Sequence, residues 1–547
     1  MTSKKQAVIV VHGMGEQRPM GTMRTIVDAL WTTDASIELD DSQNRDADGN
    51  KSWIVPDIKT GSHDLQRITT PAMRDGRRTD FFEFYYADIL DNAKLKNLWR
   101  WLMRVIKVKP EFVLERMVWP WTALCFLVVL ILWVMLSVLF LGVATQFGID
   151  FWSEAAKQAR LSVPGVSFLG AICLILMILV AARINSLRWL LRWPSYALIG
   201  LVVYYLIFLT EDLTLRTLVV SFTILLSIAT SLIFLPYLGD VAGYLGAHPD
   251  TVGRRHAVRE RGLQLLRRLH EDPTYERIVI VAHSLGSVVA YDILHLLWEE
   301  LGPTNENPPE RKVREALAAH DHLVQELNQK YGIKRWSAAD IARYREAQSA
   351  VAEAIRAQGA VVRKDGRKSN AYWKITDFIT AGSPLSHAQF LLARGALNFG
   401  KLKKERLFPT APPQVFNDDF GVLYSNDPID FAADMPLPKT RTEWAVRAPH
   451  AYAHHGAVFS AVRWTNFYDE HHPFFFWQGD VLGGPLSGAG RFGQGICDHN
   501  VKMTYQRFGS PSRFVTHTLY WTDTNPKSDQ VSANVRHMRD AVNLKGS

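Results

Sequence analysis

The sequence predicts an α/β architecture, a parallel sheet with helices on both faces, interrupted by a four-helix membrane insertion. Three observations predict it. Short apolar, β-branched runs alternate with helical stretches, as they do in a parallel sheet. One of these runs, Arg277–Ala282, breaks at Ala282-His283-Ser284-Leu285-Gly286 and continues as an apolar helix over Val288–Trp298. Four stretches between, Val118–Thr145, Val163–Ala182, Trp193–Thr210 and Thr217–Tyr237, contain no Asp, Glu, Lys or Arg.

Bulk properties bound the problem. A chain of 547 residues is long enough for a large core and more than one unit. The net charge is +8, and the basic residues gather beside the apolar stretches, so membrane-surface chemistry is expected and nucleic-acid binding is not. Three cysteines exclude a disulfide framework. Cys125 and Cys173 lie inside apolar stretches, leaving Cys497 to face solvent. Met1–Gly13 lacks the apolar core and cleavage site of a signal peptide.

Taken in order, Ala7–Val11 reads as a buried parallel strand and ends at His12-Gly13-Met14-Gly15. Asp80–Tyr86 reads as a second strand. A bilayer-spanning helix needs roughly 20 residues; the first stretch is long enough to span with tilt and the third is marginal, and tryptophans lie near the stretch ends. Lys94, Lys96, Arg100, Arg104, Lys107, Lys109 and Arg116 precede the first, and Arg183, Arg188 and Arg192 lie between the second and third. The other two loops carry only Lys157 with Arg160, and Arg216, so the soluble parts are expected on the cytoplasmic side of a bacterial inner membrane. No ionisable group lies within the stretches, which favours an anchor over a transport path. Arg254–His270 then reads as an amphipathic helix, with Val258, Leu265, Leu266 and Leu269 on one side. Residues 301–370, charged and Ala-rich, read as one or two exposed helices inserted after the helix that follows Ser284, a cap over the site or a solvated scaffold. The expected division is residues 1–110 and 240–547 for the α/β domain, and 111–239 for the membrane insertion.

A serine between two small residues, at a sharp strand-to-helix turn, is the arrangement that exposes a nucleophilic hydroxyl at a sheet edge. Ser284 is therefore the candidate nucleophile. Ala282 stands where glycine is usual, and Gly286 supplies the second small position. The following helix N-terminus favours an oxyanion, and the backbone N–H groups of Leu285 and Met14 are the expected donors. Gly13 and Gly15 would allow the backbone of that loop to approach closely.

VVHGMGEQRP, GDVAGYL (Gly239–Leu245), IVAHSLGSVVAYDIL and FITAGSPL (Phe378–Leu385) resemble a lipase-like branch of the α/β-hydrolase superfamily. That branch is similar to the GPI inositol-deacylase-like and lecithin-acyltransferase-like serine hydrolases. The likeness covers patches of the soluble parts, not the apolar stretches or residues 300–370. It implies a Ser-Asp-His triad in that chain order, acyl-ester hydrolysis without a cofactor, and a lipid ester as substrate. Phe514–Trp521, FVTHTLYW, resembles the branch's His-x-x-Tyr-Trp ending and makes His517 the expected base, with His499 in reserve. The acid stays open. Asp480, in DVLGGPL, is the first choice, Asp469 at the end of the strand-like run Ala461–Tyr468 the second, and Asp427 the third.

No metal is expected. His450 and His454 would share a helix face, but no His-Glu-x-x-His or paired-cysteine motif accompanies them. His471–Trp477 reads as a core plug, an acyl-chain wall or a part that dips into a bilayer. Two other functions fit the same sequence: a non-catalytic hydrolase-fold scaffold that binds a partner, and a membrane conduit with a regulatory soluble domain.

Overall fold

The structure, a computed structural model, describes residues 5–14, 18–57, 59, 66–90, 113, 117–122, 124–125, 244–245, 249–359, 361–362, 368–369, 371–393, 395–415, 421–425, 450–472, 478–507, 510–524 and 531–545. The chain divides into two units, residues 1–92 with 243–547, and residues 93–242.

Eight strands form one sheet in the first unit: β1 (Lys5–Val11), β2 (Trp53–Pro56), β3 (Gln66–Thr69), β4 (Arg78–Phe84), β5 (Tyr275–His283), β6 (Ile375–Ala381), β7 (Arg463–Tyr468) and β8 (Cys497–Asn500). Their spatial order is β8-β7-β6-β5-β1-β4-β3-β2. Six strands, from β8 to β4, run parallel, and β3 and β2 continue the edge antiparallel. β1 and β5 lie side by side from Gln6–Arg277 to Val11–Ala282. That register brings His12 and the turn after β5 to the same end of the sheet.

Alternation along the strands assigns side chains to two faces. Val8, Val10, Val279, Val281 and Ile379 join a buried cluster with Met23 and Ile26 of α1 (Gly21–Val27) and Val535 and Met538 at the C-terminus. On the other face lie α2 (Pro249–Glu271) and α3 (Leu285–Leu301). Gly262 of α2 packs so closely on Ile293 of α3 and Phe84 of β4 that a Cβ there would collide with both. Burying each Val or Ile of such a strand contributes about 1.5–3 kcal/mol.

Two long helices, α4 (Arg311–Tyr331) and α5 (Ala338–Gln358), occupy the predicted insertion. They are not simply exposed. Val313, Leu317, Val324, Leu327, Tyr344 and Val351 are buried. Tyr344 donates to the Phe459 carbonyl at 2.9 Å, and Gln348 Nε2 donates to Phe459 and Val462 carbonyls at 2.8 Å each. These bonds fasten α5 to the segment that enters β7. The chain closes with α6 (Ala533–Val542).

No helix among the described residues is long and apolar enough to cross a membrane. The four predicted membrane stretches lie outside the described residues, apart from a short helical segment at the start of the first, where Thr122 Oγ1 bonds the Val118 carbonyl at 2.7 Å. The structure therefore lends no support to the four-helix membrane insertion.

Candidate active site

Ser284 stands between β5 and α3 with φ 49° and ψ −129°. A non-glycine residue in that region is strained, by about 1–3 kcal/mol, and persists only where its surroundings impose it. They do so here. Its N–H donates to the Ala381 carbonyl at 3.0 Å. Its carbonyl accepts from the Ser287 hydroxyl at 2.6 Å, and Ser287 Oγ lies 2.6 Å from Ser383 Oγ. Two residues on, Gly286 is pressed against the Val11 and His12 carbonyls, where any Cβ would clash. The need for a small residue at that position thus comes from the backbone of β1.

The loop after β1 packs directly on the nucleophile. A Cβ at Gly13 would lie 3.0 Å from Ser284 Cβ and 2.8 Å from His283 Nδ1. Met14 follows Gly13 and is buried, and Leu285 opens α3, where the first N–H groups have no partner within a helix. Gly15 lies outside the described residues. His12 is fully buried and stacks on Tyr86 at 4.2 Å. Its Nδ1 lies 2.8 Å from the Gly13 carbonyl and its Nε2 accepts from the Tyr86 N–H at 3.1 Å, a pattern that assigns the ring proton to Nδ1. Burial pushes its pKa down to about 4 despite the opposing Gly13 bond, so His12 is a neutral brace for the loop.

His517 reaches the site from the far end of the chain. Its Nδ1 lies 2.9 Å from Asp480 Oδ1. Asp480 Oδ2 accepts from the Tyr520 hydroxyl at 2.6 Å, and Oδ1 also accepts from the Leu482 N–H at 2.9 Å. Burial alone would raise the pKa of Asp480. The charge of His517, its hydrogen bond and that of Tyr520 outweigh burial and hold the carboxyl below the usual range. An ionised Asp480 fixes the proton of His517 on Nδ1 and leaves the Nε2 lone pair available. Neither His517 Nε2 nor Ser284 Oγ has a hydrogen-bond partner among the described residues, and both atoms are buried.

Gly382 makes this approach possible. It adopts φ 58°, and a Cβ there would lie 2.9 Å from Asp480 Oδ2 and from two atoms of the His517 ring. Gly483 is pressed closer still to Asp480 Oδ2, at 2.5 Å for its hypothetical Cβ.

The second-choice acid has a different task. Asp469 is ion-paired with Arg513 and accepts from the Thr516 hydroxyl at 2.7 Å, while its N–H donates to the Tyr520 oxygen at 3.1 Å. Burial raises its pKa. It ties down the loop that carries His517 without touching the imidazole. An isolated bridge, Glu470 to Asp480, returns the chain to the end of β7 after the excursion between them, which is why Asp480 rather than Asp469 meets His517. Asp427 and residues 473–477 of the aromatic cluster lie outside the described residues.

His499, the reserve base, sits on β8, stacked on Phe467 at 5.0 Å and on His537 at 4.9 Å. Burial lowers its pKa to about 4. His454 is not on a helix with His450: it flanks a two-residue strand, and its Nε2 lies 2.7 Å from the Gln414 carbonyl. No group of His, Cys, Asp or Glu among the described residues is arranged to hold a metal.

No family model, curated protein or solved structure matches the chain.

Two residues that the sequence did not single out complete the site. Tyr520 bonds Asp480, and its signal was the Tyr of the His-x-x-Tyr-Trp ending. Tyr86, at the end of β4, had no signal beyond its strand; its hydroxyl donates to the His12 carbonyl at 3.0 Å. His283, noted only as part of the turn, proves to be a link. It is buried, its Nε2 lies 2.8 Å from the His517 carbonyl, and Trp521 packs edge-on against its ring at 4.8 Å. Burial, with His517 beside it, lowers its pKa to about 3. A neutral His283 donating from Nε2 therefore joins the nucleophile's turn to the backbone of the base.

Proposed function

We propose that the chain is a serine hydrolase of carboxylic esters, related to the lipase-like α/β-hydrolases. The observation that carries the reading is the His517–Asp480 hydrogen bond beside a serine held at positive φ. Ser284 Oγ attacks the ester carbonyl as His517 Nε2 removes its proton. Negative charge develops on the carbonyl oxygen, where the N–H groups of Leu285 and Met14 stabilise it. His517 then protonates the departing alkoxide, leaving an acyl-enzyme. Water, deprotonated by the same imidazole, releases the acid and restores Ser284. Asp480 keeps its charge throughout and stabilises the imidazolium. No cofactor enters these steps.

Lipid esters are the proposed substrates because the four apolar stretches of residues 118–237 would hold the site at a bilayer, where such esters are concentrated. The enzyme reading does not depend on that anchor. The test is fluorophosphonate labelling, together with hydrolysis of a panel of soluble and lipid esters in detergent. Wild type is expected to be labelled and to hydrolyse at least one ester. Ser284→Ala should abolish labelling and lower hydrolysis at least about 10³-fold. An unlabelled wild-type chain without esterase activity would overturn the proposal in favour of a non-catalytic scaffold.

A further inference from the structure

At the opposite end of the sheet from Ser284, where β1, β5, β6 and β7 begin, lies a cavity of about 260 Å³ lined by Lys5, Arg77, Arg277, Arg356 and Arg463. Arg277 and Ser284 are seven positions apart along an extended strand, about 23 Å at the usual strand rise. Against five cations the lining sets two carboxylates, Glu276 and Glu353. Beneath it, Asp377 holds both Arg277, at 2.7 Å, and Arg463, at 2.9 Å. Lys5 is paired with Asp80 at 3.3 Å and Arg77 with Asp75 at 3.4 Å, so Arg356 is the one lining cation without an ion-pair partner among the described residues. Arg345, just behind, bonds the Thr465 hydroxyl at 3.1 Å and has no carboxylate within ion-pair distance among the described residues.

Arg356 is the decisive residue. Its Nε is shielded from solvent and has no hydrogen-bond partner, and no carboxylate pairs with its guanidinium among the described residues. A donor shielded from water and left without a partner is costly. Burial, reinforced by adjacent arginines, pulls the pKa of Arg277 and of Arg345 below the ordinary value, Asp377 notwithstanding. Guanidinium forks match a tetrahedral oxyanion in geometry as well as charge. The small, polar cavity suits one such group and excludes a peptide segment.

We propose that this cavity binds a phosphate group, free or as the head of a phosphomonoester, with Arg356 as the residue that completes its charge balance. The site is separate from the ester-cleaving centre and does not rest on that reading. It also has a structural consequence. Arg277 donates to the carbonyls of Val542 and Asn543, at 2.9 and 2.8 Å, so an anion here would tighten the end of α6 against β5.

The test uses the full chain in detergent, with Ser284→Ala as background so that ester chemistry plays no part. Thermal unfolding is followed while inorganic phosphate or pyrophosphate replaces chloride at constant ionic strength. A saturable rise in Tm of a few degrees is expected, with binding weakened at least tenfold in Arg356→Gln and partly restored in Arg356→Lys. Glu353→Gln should tighten binding, which loss of folding in a variant cannot mimic. A second arm measures binding to phosphatidylcholine vesicles with and without phosphatidate. Binding to phosphatidate that depends on Arg356, without a saturable phosphate effect, assigns the group to a lipid head. No saturable effect in either arm, or equal binding by wild type and Arg356→Gln, overturns the proposal.

Discussion

Asp480 and Asp469 lie within bonding distance of the same tyrosine hydroxyl, yet only Asp480 touches an imidazole. Their neutral variants should therefore separate sharply. Asp480→Asn removes the charge that fixes the His517 tautomer, and kcat is expected to fall about 10⁴-fold. Asp469→Asn, which loses the Arg513 pair, should reduce stability with less than about a tenfold change in kcat. Measuring kcat beside the urea midpoint for both variants checks the assignment; the reverse ranking would move the acid to Asp469. His283→Phe keeps a ring against Trp521 and deletes the donor to the His517 carbonyl. The expected result is a loss of about 10- to 100-fold in kcat/KM with labelling of Ser284 retained. The sequence could name His517 and Asp480 as candidates through local patterns, HTLYW and DVLGGP. It left three acids open because eleven residues separate Asp480 from the end of β7, and only the Glu470–Asp480 bridge closes that gap.

At the scale of elements, legibility followed burial. β1 and β5 are nearly continuous apolar runs, since both their faces are covered, and they stand out in the sequence. β2 and β3 did not, because they form an edge with Trp53 and Ile54 about half exposed. β8 reads Cys-Asp-His-Asn and carries no strand signal of its own; pairing with β7 imposes its conformation. The exposed reading of residues 301–370 failed because the charge of α4 and α5 obscured one apolar face and the polar anchors Tyr344 and Gln348. Capping in α5 gives a direct test. The Ser337 hydroxyl accepts from the Asp340 N–H, so Ser337→Ala should cost about 1 kcal/mol, read as a lower urea midpoint with unchanged ester hydrolysis. Gly382→Ala should act on both, since a methyl at positive φ strains the turn and displaces the Asp480–His517 pair.

For the whole molecule, acid sensitivity should begin at unusually mild pH. His12, His270, His283, His320 and His454 are all buried, and burial lowers each to between about 3 and about 4. The unfolded chain takes up these protons near pH 6.5, whereas the folded chain resists until pH 3–4. Their contribution to stability is therefore complete above pH 6.5 and is lost as pH falls below it, by on the order of 1 kcal/mol per histidine per pH unit. Glu83 has the opposite sign: burial raises it to about 7, so it weakens the fold as pH rises from 4.5 through 7. Five groups outweigh one, and the urea midpoint at pH 5 is expected well below that at pH 7.5. Equal midpoints would show that these histidines titrate freely in the folded chain.

The strand order has a further meaning for how the protein comes into being. β1 occupies the middle of the sheet, and one of its two flanks stays bare until Tyr275–His283 has been made. While the residues between these two strands are being made, a sticky hydrophobic ribbon waits for its neighbour, and nascent chains cut short before that point should need a chaperone to stay in solution.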